Sequence, residues 1–283
     1  MPTSPEDLFY LLFKRIPRTL MGGKAPLSPG ETLYMARKNA RETPRKTAPL
    51  DWAAAQDLLG NVAAGYGMKK SSPAHLEEAL DAYQKCLEVV SVEDHPLDWA
   101  MAQYNRGSTL VELARLTDTP EKLTDAVEAF GQALRGYTRS ERPVEWGMTQ
   151  NALGSALRSL GRIHNNPALV EDAVCAFRLC LEERSPQTDP LGWATIQNNL
   201  ANALSDLGEM ETKSPAQKPE TGKQASVLDR LSEALEAYIL ARRVYEEQNH
   251  PEFAALVEEN IQITTRLIKA HQDGRHIRAA HKN

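Results

Sequence analysis

The sequence predicts an all-α array of stacked helix pairs, on three observations. The four tryptophans, Trp52, Trp99, Trp146 and Trp193, recur at a constant interval of 47 residues and are the only four in the chain. Each follows a proline by three residues (Pro49, Pro96, Pro143, Pro190) and precedes a glutamine by four (Gln56, Gln103, Gln150, Gln197). The residues around them keep a helical period: Trp193, Gln197, Leu200, Ala201 and Leu204 fall at i, i+4, i+7, i+8 and i+11, one helix face. A fixed period of this length marks an array in which each repeat buries its apolar face against its neighbours.

Composition allows such an array. Of 283 residues, 41% are hydrophobic and 25% charged, so a core can be buried. The net charge of -5 is unevenly spread. Residues 14–48 carry +7 and residues 269–283 carry +3, which leaves -13 on the stretch 49–268. An acidic body argues against a nucleic-acid partner, which asks for a basic face. Cys86 and Cys180 hold the same place two repeats apart, and no Cys-x-x-Cys occurs. Small buried thiols in a reducing compartment account for all three cysteines. The chain opens acidic (Glu6, Asp7), unlike a secretory signal, and no apolar run reaches the length of a membrane span. A soluble cytoplasmic protein is the expectation.

Taken in order, residues 1–27 hold a short helix and a basic linker. Ser4-Pro5-Glu6-Asp7 starts the helix, and Leu8 to Phe13 is apolar without a break. That segment caps the array or docks on a second subunit or a membrane surface. Gly22-Gly23-Lys24 lacks the earlier glycine and the following Ser/Thr of a phosphate loop. Residues 28–48 form a degraded half-repeat whose helix starts with a capping box at Ser28-Pro29-Gly30-Glu31.

Full repeats then span 49–95, 96–142, 143–189 and 190–250. In each, the proline opens a first helix that ends near a glycine (Gly67, Gly161, Gly208; Ala114 in the second), placed to act as a left-handed cap. A second helix starts at Ser72-Pro73, Thr119-Pro120 and Asn166-Pro167. The fourth repeat carries an insertion near 211–225, rich in Thr, Lys, Ser, Pro and Gln, which reads as a disordered surface loop. Residues 251–273 make a C-terminal capping helix that packs through Phe253, Leu256, Val257, Asn260, Ile261, Thr264, Leu267 and Ile268. Gly274 ends it, and 274–283 is a basic tail.

The pairs Leu59-Gly60, Leu153-Gly154 and Leu200-Ala201 stand on first helices. Ala79/Tyr83/Cys86, Ala126/Phe130/Ala133 and Ala173/Phe177/Cys180 stand on second helices. Through these residues the chain resembles tetratricopeptide repeat proteins, in the long-helix form of kinesin light chains and many bacterial adaptor and signalling proteins. The resemblance covers Pro49 to about Gln248. It implies a right-handed solenoid of about four and a half repeats with terminal capping helices. Its first helices would line a concave groove that binds a peptide or helix of another protein. Three departures stand out. The period is 47 instead of about 34, which suggests two helices of near 19 residues, about 28 Å each. Tryptophan sits eight residues before the glycine, where the family has its aromatic at four. Arg106 replaces the leucine before Gly107.

The tryptophan stripe shares the Leu-Gly face and is expected in the core, with each glutamine bonded to a backbone group in an inter-repeat turn. The stripe at i, i+3, i+7 and i+10 that starts two residues after each tryptophan is the candidate partner-binding surface. It contains Asp57, Asn61, Tyr104, Ser108, Asn151, Ser155, Arg158, Asn198 and Asn202. Amides and hydroxyls suit it, because an amide both donates to and accepts from an extended backbone. The paired lysines with which family members grip a terminal carboxylate are absent: those places hold Asp57, Tyr104, Asn151 and Asn198. Catalytic motifs are missing: no His-Glu-x-x-His, no Gly-x-Ser-x-Gly, no Cys/His cluster. The expectation is a non-catalytic adaptor or scaffold with no cofactor and no metal. The other reading is a homo-oligomeric or membrane-peripheral assembly protein docking through Leu8–Phe13. Deleting Lys213–Ala225 is expected to leave the fold intact, and trypsin is expected to cut first at Lys218 or Lys223. A protease-resistant segment, or a deletion that unfolds the protein, would contradict the surface-loop reading.

Overall fold

The computed structural model describes residues 27–213 and 227–280. The expected N-terminal apolar helix and most of the insertion near 211–225 lie outside the described residues. Within them the chain forms ten helices and no strand. These are α1 (Pro29–Glu42), α2 (Pro49–Lys70), α3 (Pro73–Leu87), α4 (Pro96–Thr117), α5 (Glu121–Gly136), α6 (Pro143–Ile163), α7 (Pro167–Glu182), α8 (Pro190–Lys213), α9 (Val227–Glu247) and α10 (Pro251–Ala280). Thus α1 is the half-repeat, α2/α3 to α8/α9 are four helical hairpins, and α10 follows them. No helix among the described residues is long and apolar enough to cross a membrane.

The extra length of the repeat is not shared equally between its helices. First helices run 21–24 residues, whereas α3, α5 and α7 run 15–16. Second helices stop early because a separate turn intervenes. Ser91, Thr138 and Ser185, again 47 apart, accept the N–H groups of Asp94 (3.1 Å), Glu141 (3.3 Å) and Thr188 (3.3 Å) through their hydroxyls. The chain then enters the next first helix through its proline, which lacks only an N–H that would go unpaired there.

The expected glycine caps are not caps. Helix α2 runs on past Gly67 to Lys70, and the left-handed residue is Ser71 (φ 48°); Asp118 (φ 51°) and Asn165 (φ 48°) hold the same place. The Ser72 and Asn166 N–H groups reach back to the carbonyls of Gly67 and Gly161 at 2.8 Å, closing a Schellman turn. The glycines serve close approach instead. A Cβ on Gly67, Gly161 or Gly208 would stand 2.6–2.8 Å from Leu76, Val170 or Leu231 of the second helix.

The hairpin crossing is tighter still. A Cβ on Gly60 would lie 2.5 Å from the Tyr83 ring, and Cβ atoms on Gly107 and Gly154 would lie 2.8 Å from Phe130 and Phe177. These three rings are the largest fully buried side chains among the described residues. In the fourth hairpin Ala201 holds the glycine's place and Tyr238 the aromatic's, both buried. The tryptophans are more peripheral than expected: Trp146 is 9% exposed, and Trp52, Trp99 and Trp193 are half-buried. They stand one turn into the first helix, beside the inter-repeat turn. Its arginines cover two of them, with Arg45 4.5 Å over Trp52 and Arg139 5.4 Å over Trp146.

The chain divides into two compact units, Met1–Ala152 and Leu153–Asn283. In the first, α1 packs on α2, α2 on α3, α3 on α4 and α4 on α5, and the first helices α2 and α4 also touch. In the second, α7 packs on α8, α8 on α9 and α9 on α10, with α8 and α10 adjacent. Each unit has an ion pair between successive second helices at the same repeat position, Arg37 with Glu78 (2.6 Å) and Arg178 with Glu233 (2.7 Å).

Helix α10 departs from expectation twice. It runs through Gly274 to Ala280, since one glycine among good helix formers does not end a helix. Its buried face holds Ala254, Val257 and Thr264, whereas Leu256 is 61% exposed. Cys86 and Cys180 are buried as expected, with thiols pushed up to about 12 and about 11 by burial, but Cys175 is exposed.

Phe177→Ala is expected to cost about 3–5 kcal/mol, and Trp146→Ala about 3. Trp52→Ala should cost less than Trp146→Ala, since Trp52 is nearer the end and more exposed. Gly154→Val should cost about 1–3 kcal/mol by overpacking. Gly131, in α5 with nothing within 4 Å of a Cβ, is the control: Gly131→Ala should gain about 0.5–1 kcal/mol. Urea midpoints check the order, and a harmless Gly154→Val would show that the crossing is loose.

Candidate functional site

The candidate stripe lies along the first helices, and its burial is graded. On α2, Asp57 and Asn61 are buried. On α4 every stripe position, Met101, Tyr104, Ser108 and Val111, is half-buried, as are Met148 and Asn151 of α6. In the second unit, Ser155 and Arg158 of α6 and Thr195, Asn198, Asn202 and Ser205 of α8 are half-buried. The same places on α10 hold Leu256, Glu259, Ile263 and Arg266, all exposed.

Asp57 and Asn61 are turned to the interior by a polar network. The Tyr83 hydroxyl donates to Asn61 Oδ1 at 2.8 Å, and Asn105 Nδ2 donates to the same oxygen at 2.9 Å. Asn61 Nδ2 in turn donates to Asp57 Oδ2 at 3.0 Å. Burial, reinforced by the Asp57 charge, holds the Tyr83 hydroxyl well above its usual pKa, so it remains a donor. In the second unit the Tyr238 hydroxyl donates to Asn202 Oδ1 at 2.7 Å, and Asn260 Nδ2 approaches that oxygen at 3.4 Å.

The pattern obeys a rule visible in the sequence. Where the crossing aromatic is tyrosine (Tyr83, Tyr238), the stripe residue beside its glycine or alanine is asparagine (Asn61, Asn202). Where it is phenylalanine (Phe130, Phe177), that residue is serine (Ser108, Ser155). A buried hydroxyl requires an acceptor and a phenyl ring does not. Tyr104 leans on the Phe130 ring, with centroids 5.7 Å apart.

Other polar groups escaped the sequence reading. Arg158 donates through Nε to Asp206 Oδ2 at 2.6 Å, and Arg162 Nε lies 3.5 Å from Asp206 Oδ1. Asp206 is buried, which raises its pKa, and the Arg158 guanidinium opposes that rise. The signal was available: the two residues are one period plus one apart, so they face each other on successive first helices. Asn105 and Thr109 are buried on α4 and gave no comparable signal. Of the glutamines, Gln56 Nε2 reaches the Ala40 carbonyl at 3.5 Å, while Gln103 Oε1 is buried without a partner. Among the described residues no group of three His, Cys, Asp or Glu side chains is arranged to hold a metal ion.

No family model matches the sequence, and no curated protein matches it. Among solved structures, the chain is similar to the crystal structure of BtubC (BKLC) from P. vanneervenii. Identity is 15%, the match covers 87% of this chain and 93% of that one, and the TM-score is 0.37.

Asn61→Ser is expected to cost about 1–3 kcal/mol, since it strips the buried Tyr83 hydroxyl of its acceptor. Adding Tyr83→Phe, which rebuilds the serine–phenylalanine pair of the middle repeats, should recover about 1 kcal/mol of that loss. Strictly additive urea midpoints would show that the two residues are not coupled.

Proposed function

We propose that the protein is a non-catalytic adaptor that holds a segment of another protein along the stripe of its first helices. The observation that carries this reading is the uniform half-exposure of the stripe on α4 and α8. A solvated face would be fully exposed and a core face closed. A row of amides, hydroxyls and half-covered apolar groups recurring every repeat suits an extended chain, whose backbone offers a donor and an acceptor at each residue. Tyr104, Ser108 and Asn151 form the surface in the first unit, and Ser155, Arg158, Asn198 and Asn202 in the second. Asp57 and Asn61 contribute by stiffening α2 from within. Catalysis has no part in this reading, nor has a cofactor. The three free thiols suit a reducing cytoplasm.

The test needs a partner, taken by affinity capture from the source cytosol and then titrated by calorimetry. Asn151→Ala with Asn198→Ala should weaken binding about tenfold or more, with one or two hydrogen bonds lost. Stability should fall by less than about 1 kcal/mol. Unchanged affinity with an intact circular dichroism spectrum would move the partner off these faces.

A further inference from the structure

The stripe of the second unit has its acceptors turned inward. Asn202 Oδ1 takes the Tyr238 hydroxyl and the Asn260 amide. The oxygen of Asn198 is buried, which leaves Nδ2 as the polar atom that side chain can present. Arg158 spends only its Nε on Asp206, and Arg162 meets the same carboxylate through its Nε at 3.5 Å, with 55% of its side chain exposed. One buried carboxylate therefore faces two guanidiniums, each of which meets it through Nε. Arg158, Arg162, Asn198 and Asn202 thus offer donors along neighbouring helices. Glu209, one turn beyond Asp206, is the other carboxylate near the pair, and it has interactions of its own.

Resting on the adaptor reading, we propose that this edge of the second unit binds an acidic side chain of the held segment. The carboxylate of an Asp or Glu would bridge the Nη groups of Arg158 and Arg162, with Asn198 and Asn202 donating to the segment's carbonyls beside it. A pair of guanidiniums rejects a lysine or arginine at that place and gains little from an apolar side chain. Asp206 acts as a positioning residue: it fixes the Arg158 fork and is too buried to compete for the ligand.

The experiment uses the full chain, isotope-labelled, with the arginine Nε–H resonances followed by NMR. The probe is acetyl-Gly-Glu-Gly-Glu-Gly-amide, whose only carboxylates are side chains. Its glutamine counterpart, triglycine with a free C-terminus, and inorganic phosphate are the comparators. The glutamate peptide should shift the Arg158 and Arg162 signals at millimolar concentration, and Arg162→Gln should weaken that binding about tenfold, the loss of a charge-assisted bond. Because Arg162→Gln leaves the Arg158–Asp206 pair in place, it should not disturb the fold. Equal responses to the glutamate and glutamine peptides, binding of triglycine or phosphate alone, or no effect of Arg162→Gln would each overturn the inference. A captured partner separates the two readings. Weakening by Asn198→Ala but not by Arg162→Gln removes this inference and leaves the adaptor standing. Weakening by neither removes the adaptor reading itself.

Discussion

The structure depends on an aromatic ring lying against a glycine where the two helices of each of the first three hairpins cross. No side chain fits between Gly60 and Tyr83, Gly107 and Phe130, or Gly154 and Phe177. Ring and backbone therefore meet directly, and the spacing between the helices is set by the thickness of a benzene ring. The Gly67–Leu76, Gly161–Val170 and Gly208–Leu231 approaches hold the second end of the first, third and fourth hairpins close in the same way. Between these two points the first helix is pinned, so the residues on its far side are displayed in a fixed register. The stripe is orderly because the opposite face is so closely packed.

Much of this was legible in the sequence. The period, the proline starts and the Gly–aromatic pairs identify the hairpins and the helix order, because each is a local rule repeated three or four times. Misreadings arose where one residue type serves two purposes. Gly67 and Gly161 sit near a helix end, where glycine commonly caps, yet small size is the property used there, and Ser71, Asp118 and Asn165 adopt the left-handed turn instead. Tryptophan, the most conspicuous marker of the period, is not the deepest residue. A large ring beside a turn can be half-covered by an arginine, and a periodic residue need not be central.

The candidate surface was legible in position but not in orientation. Helical spacing places Asn61, Asn198 and Asn202 on one face, yet which edge of an amide points outward is decided by partners far away in sequence. Tyr83 claims the oxygen of Asn61 across 22 residues, and Tyr238 that of Asn202 across 36. Asp57 and Asn61 carry the residue types of an open polar face and are nonetheless buried. The Arg158–Asp206 pair joins helices a whole repeat apart, a distance at which local pattern says nothing unless the period itself is used as the ruler.

The tyrosine–asparagine crossings of the first and last hairpins and the phenylalanine–serine crossings of the middle two bear on how the chain avoids folding wrongly. Repeats of equal length invite exchange, since a first helix can dock the second helix of the wrong repeat with every apolar contact in place. Pairing the Gly107 helix with Tyr83 would set its hydroxyl beside the short Ser108 side chain, which already donates to the Tyr104 carbonyl at 3.0 Å, in place of the longer Asn61 amide. Pairing the Gly60 helix with Phe130 would cost the Asn61 oxygen one of its two donors, the Tyr83 hydroxyl, and set a phenyl ring in its place. Each such swap gives up the matched tyrosine–asparagine hydrogen bond, a cost of about 0.5–1.5 kcal/mol that correct partners avoid. A single oxygen atom thus sets the first and last hairpins apart from the middle two, and the assembling chain can tell its first repeat from its second.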